Sequence, residues 1–125
     1  MTHDLLRVDR RGEGAAVVVR AVGEIDLVTV DLLSVQLTGA VQTVTPPGPV
    51  VVDLSAVTFL GSAGMAALIV THRQCLQLGV FLRVVAQSVL TRRLALRGLV
   101  GVLTIRPTVS DALRVSDDDP HAPVT

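Results

Sequence analysis

The sequence predicts a single α/β domain: a mostly parallel mixed sheet of four to five strands with about four helices. Three observations predict it. Short Val-rich apolar runs alternate with longer stretches of helical period. Gly and Pro punctuate the changes of period. The central run, Val50 to Ser55, is apolar enough for a strand covered on both faces, as parallel strands are. Alternation of this kind is built by right-handed crossovers.

The elements follow in order. "LLRVDRR" reads as a first strand, Gly12 to Gly14 as a turn, and Ala15 to Ile25 as a second, Val-rich strand, the two forming a hairpin. After Ile25 the period changes. Val30, Leu33, Leu37, Val41 and Val44 recur every three or four residues, an amphipathic helix that Asp26 is placed to cap. "TPPGP" stops it, because adjacent prolines cannot continue a helix. The strand "VVVDLS" follows, and "AVTFL" leads into "GSAG".

A second helix is expected from Ser62 to Leu78, with Met65, Leu68, Ile69, His72, Cys75 and Leu76 on one face and Gly79 as its stop. "VFLRVVA" is another strand. "SVLTRRLALRGL" is a helix capped by Ser88 and stopped by Gly98. "VLTIRP" reads as a short edge strand and "TVSDALRV" as a last helix. The domain is read as residues 1–115, and the polar, proline-containing segment 116–125 as a loose tail.

The totals narrow the chemistry. Half of the 125 residues are hydrophobic, enough for a core without disulfide or metal. With two Phe and neither Tyr nor Trp, the chain lacks a base-stacking platform. Formal net charge is zero, so the electrostatic footprint of a nucleic-acid binder is missing, and no direct nucleic-acid contact is expected. Arg92, Arg93 and Arg97 lie close together and read as a solvated helix face. The single cysteine, Cys75, excludes an internal disulfide and reads as a buried, inert thiol. No signal peptide and no membrane-length apolar run is visible, so a cytoplasmic protein without a membrane span is expected.

No metal set, cofactor motif or catalytic site is expected. One cysteine and three dispersed histidines do not make a zinc site, and His72 reads as a packed histidine. The nucleophile elbow G-x-S-x-G fails because Leu60 stands where its first glycine belongs. The phosphate-binding loop fails because every basic residue outside histidine is arginine. The reading is therefore not an enzyme.

The serine turn remains. Ser62 follows a strand and opens a helix, and two readings stand side by side. It is a plain N-cap, or it is a hydroxyl that a kinase modifies. A phosphate at a helix start meets free N–H donors and the positive end of the helix dipole.

"VVVDLSAVTFLGSAGMAALI" resembles the signature segment of bacterial anti-sigma-factor antagonists, the STAS domain family, in which "DLS-x-V-x-F" runs into "D-S-[ST]-G-[LM]" at a helix start. "VVVRAVGEIDLVTVDLL" is similar to the family's "G-E-[IL]-D" segment, and "LRVVAQSVLTRRLALRGL" to its later strand and helix. The resemblance covers about Leu5 to Val115. It implies a protein that binds an anti-sigma serine kinase and so frees a sigma factor, and that is released when the kinase phosphorylates one serine. A PP2C-type phosphatase would reverse the modification. By position that serine is Ser62, and Asp26, Gly61, Ala63, Gly64 and Met65 join it as partner-binding residues. Gly61 stands where the family often has Asp, and Ala63 at the second hydroxyl. The alternative is a STAS interaction module that is not phosphorylated, in a sensor or transporter assembly.

Overall fold

The computed structural model describes residues 2–114, so the tail expected at 116–125 lies outside the described residues. Among them the chain order is β1 (Thr2–His3), β2 (Leu6–Glu13), β3 (Ala16–Ile25), α1 (Val30–Thr43), β4 (Val50–Leu60), α2 (Ser62–Leu78), β5 (Leu82–Val85), α3 (Ser88–Leu96), β6 (Thr104–Arg106) and α4 (Val109–Leu113). A single 3-10 turn, Leu99–Gly101, joins α3 to β6.

One mixed sheet carries the strands in sequential order. β2 and β3 are the expected antiparallel hairpin, with Glu13 opposite Ala16. β3, β4, β5 and β6 run parallel. The two-residue β1, which the sequence reading did not foresee, pairs with β2 and extends the sheet to six strands. β4 also runs further than "VVVDLS" suggested. Beyond Asp53, where its pairing with β5 ends, it continues against β3 alone to Leu60. The buried run therefore gives way to half-buried and exposed positions along Ser55 to Phe59.

Helices α1, α2 and α3 share one face of the sheet. Leu33, Leu37 and Ala40 of α1, Leu68 and Cys75 of α2, and Leu94 of α3 join one core with Val19, Val52, Leu54 and Val84. α4 lies against the opposite face, where Ala112 meets Val18, Val51 and Val85. β4 is thus covered on both sides over its first half, as its apolar run requires.

Two local expectations are corrected. The buried stripe of α2 is Gly64, Leu68, Thr71 and Cys75, and Leu76 is exposed. Positions four, seven and eleven residues along a helix share a face, so this stripe selects Thr71 over Leu76. The Thr71 hydroxyl donates to the Ala67 carbonyl at 2.9 Å, which satisfies it inside the core. Ser88 is the first helical residue of α3 rather than its cap; Gln87 holds that position with extended backbone. The expected stop at Gly98 holds: Gly98 is left-handed, at φ 75°.

Burial pushes the Cys75 thiol up to about 12. Desolvation disfavours the thiolate, so the thiol stays protonated and unreactive at neutral pH. The folded protein should react with a thiol reagent only at its unfolding rate. A fast labelling phase at pH 8 without denaturant would contradict this burial.

Gly64 closes α2 onto the sheet. A side-chain carbon there would stand 2.7 Å from Ile25 Cγ2 and would collide with Leu60 Cδ1. Gly64→Ala should therefore destabilise the fold by about 1–3 kcal/mol, an overpacking cost. Urea denaturation measures it, and an unchanged midpoint would contradict the close approach.

Candidate functional site

The site is assembled by the parallel pairing of β3 and β4. Glu24 lies opposite Phe59 and Ile25 opposite Leu60, so the two strands end together. One further bond ties the chains past the strands: the Gly61 N–H donates to the Ile25 carbonyl at 2.9 Å. α2 begins at the next residue. Parallel α/β sheets place their sites at this end, outside the carboxyl ends of the strands.

Gly61, not Ser62, occupies the N-cap position of α2, with extended backbone at φ −85° and ψ 179°. Its carbonyl accepts the first helical bond, from the Met65 N–H at 3.1 Å. The cap reading of Ser62 is thereby corrected. Ser62 is the first residue inside the helix, exposed, and its hydroxyl makes no hydrogen bond among the described residues. The helix start has no side-chain cap and no acidic residue in its first turn. First-turn amides have no acceptor within a helix, and the dipole is positive there. An added anion on Ser62 would thus meet favourable partial charge.

The neighbours of Ser62 divide by role. Gly64 is the buried contact described above. Met65 and Ala63 are half-buried, and Met65 packs against the core. Gly61 sits under the Phe59 ring: a side-chain carbon there would stand 3.2 Å from Phe59 Cε2, so any other residue needs the ring to give way.

Asp26 opens the turn next to this helix start. Its Oδ1 accepts the Val28 N–H at 2.9 Å and the Thr29 N–H at 3.0 Å. The expected cap of α1 is corrected in detail. α1 starts at Val30 behind Thr29, and Asp26 instead organises the turn that leads into it. Thr29 completes the turn. Its hydroxyl accepts from the Asp26 N–H at 3.0 Å and donates to the Glu24 carbonyl at 2.8 Å. Thr29 is only 1% exposed. The sequence reading missed it, although an Asp followed three residues later by Thr marks such a side-chain-closed turn.

The locked turn pushes two apolar side chains outward. Leu27 is 84% and Val28 73% exposed. Across the same edge, Phe59 and Leu96 are exposed as well. These exposed apolar side chains add nothing to the buried core.

Between α2 and α3 lies a crevice of about 380 Å³ whose walls include Ser62, Met65, Phe59 and the arginines Arg93 and Arg97. The structure splits the arginine cluster that the sequence presented as one face. Arg92 turns to a larger cleft of about 630 Å³ between α3 and β6, which contains none of the expected site residues. Among the described residues no His, Cys, Asp and Glu side chains are grouped to hold a metal ion, and no helix is long and apolar enough to cross a membrane.

Removing the acceptor should loosen the turn. Asp26→Ala should lower stability by about 0.5–2 kcal/mol, the range for losing a side chain that satisfies helix-start amides. Amide exchange at Val28 and Thr29 should accelerate. Unchanged protection at both would show that Asp26 does not hold the turn.

Comparison with known proteins places this geometry. The family model described as the STAS domain matches residues 7–112. A Mycobacterium tuberculosis protein named "Putative anti-anti-sigma factor Rv2638" is 39% identical over 112 residues, spanning 89% of this chain and 76% of the relative. The anti-sigma-F factor antagonist RsfA of Mycobacterium tuberculosis is 32% identical over 100 residues, 79% of this chain and 78% of that protein. The crystal structure of an anti-sigma factor antagonist from Mycobacterium paratuberculosis superposes with a TM-score of 0.76 at 33% identity, covering 90% of this chain and 94% of that one.

Proposed function

The chain belongs to the STAS domain family, and from that premise we propose that it is an anti-sigma-factor antagonist switched at Ser62. It binds an anti-sigma serine kinase through the edge formed by the Asp26 turn and the start of α2. Binding frees the sigma factor. Phosphorylation of Ser62 by that kinase releases the complex, and a PP2C-type phosphatase resets it. The role is recognition, and the chain supplies the hydroxyl rather than the catalysis.

One observation carries this reading: an exposed Ser62 hydroxyl, uncommitted to capping, beside a locked turn that displays Leu27 and Val28. The names of the relatives support the antagonist role. The exposed hydroxyl supports the modification. A phosphoserine adds close to two negative charges. Weakening a complex about a thousandfold takes about 4 kcal/mol, and like-charge contact at an interface costs several. The switch needs no refolding.

Gly61 and Ala63 support a second reading, a STAS module that binds without being phosphorylated. Gly61 leaves no carboxylate beside the serine, and Ala63 removes a neighbouring hydroxyl.

Incubation with the cognate kinase and ATP, followed by intact mass, separates the two. The expected result is one added phosphate that is absent from Ser62→Ala. A complex that forms with the kinase while the mass never changes would favour the second reading and sink the switch.

A further inference from the structure

Resting on the reading that Ser62 is phosphorylated, we propose that the α2–α3 crevice is a phosphomonoester-binding site whose ligand is the phosphate on Ser62 itself, gripped by Arg93 and Arg97. Both arginines and Ser62 line the same crevice of about 380 Å³. No acidic side chain lines it. Neither Arg93 nor Arg97 has an ion-pair partner among the described residues. Asp26, the acid in the adjoining turn, already has its Oδ1 on the Val28 and Thr29 amides.

The arginines are positioned as a pair. They stand four residues apart at the end of α3, which sets them on one side of the helix. The Arg93 guanidinium lies over the Phe59 ring, 5.9 Å from its centroid. That contact orients the group without neutralising it. Guanidinium donors in a fork match phosphate oxygens, and such charge-assisted bonds are about twice as strong as neutral ones.

The consequence goes beyond repulsion of a partner. A bridged phosphate ties the start of α2 to the end of α3 across Phe59 and Leu96, which are exposed in the unmodified protein. It also removes two cations from the docking edge. Phosphorylation thus withdraws positive charge and apolar surface in one step.

The test installs phosphoserine at position 62 by genetic encoding, so it does not depend on any kinase. Phosphorus NMR then follows the second ionisation of the phosphate. The clamp predicts a midpoint lower by about one pH unit or more than in the Arg93→Gln, Arg97→Gln variant of the phosphorylated protein. High salt should move the phosphorylated wild type toward that variant. Thermal melting of the unmodified double variant checks its fold, and Arg93→Lys, Arg97→Lys, which keeps charge but loses the fork, should recover part of the shift. Identical titrations in wild type and double variant would overturn the clamp. Arginine-dependent, micromolar binding of inorganic phosphate to the unmodified protein would overturn it too, by making the crevice a site for free phosphate. An unphosphorylated Ser62 in the kinase assay would instead remove the functional reading and leave this measurement standing.

Discussion

The structure depends most on how the ends of β3 and β4 are held together. Ile25 and Leu60 are paired across the parallel ladder, and the Gly61 N–H reaches back to the Ile25 carbonyl at 2.9 Å. Gly64 then seats α2 directly on the Ile25 and Leu60 side chains, with no room for a side chain of its own. Parallel strands pair residues far apart in sequence, and here that brings the turn after Ile25 beside the turn after Leu60. The Asp26 turn and the start of α2 both hang from this junction.

The chemistry of Ser62 follows from where the helix starts. An N-cap serine would spend its oxygen on the first-turn amides. Because Gly61 takes the cap position, the Ser62 hydroxyl stays uncommitted, and the helix start stays uncapped by any side chain. The neighbouring turn is fixed more firmly. Asp26 and Thr29 close it through four side-chain hydrogen bonds between 2.8 and 3.0 Å. An exposed hydroxyl on one side and the exposed Leu27 and Val28 on the other are what the proposed switch uses: on that proposal, one added phosphate changes binding while the fold stays as it is.

Much of this was legible in the sequence, for definite reasons. The alternation of Val-rich runs and helical periods gave the α/β class, and the Ser62–Leu78 helix matched at both ends because a strand turn and a glycine stop bound it. The motif also placed Asp26 just after β3 and Ser62 at the start of α2, where the structure has them. What was not legible depended on tertiary contact. Val50 to Ser55 is a readable strand, but its extension to Leu60 is set by pairing with β3 alone. The choice of Thr71 over Leu76 for the core needs the packing of α2 on the sheet. Assigning the cap to Gly61 turns on backbone angles that the "GSAG" motif does not reveal. Arg93 and Arg97 are solvent-exposed, as the helix pattern suggests, but nothing in α3 reveals that α2 starts across the crevice from them.

On the proposed switch, the charge on Ser62 decides whether this edge binds. Isothermal titration of the cognate anti-sigma factor into the unmodified protein, and into protein carrying phosphate on Ser62, measures it directly. The expected Kd is weaker by about a thousandfold after phosphorylation, equivalent to about 4 kcal/mol. Equal affinities for the two forms would contradict it.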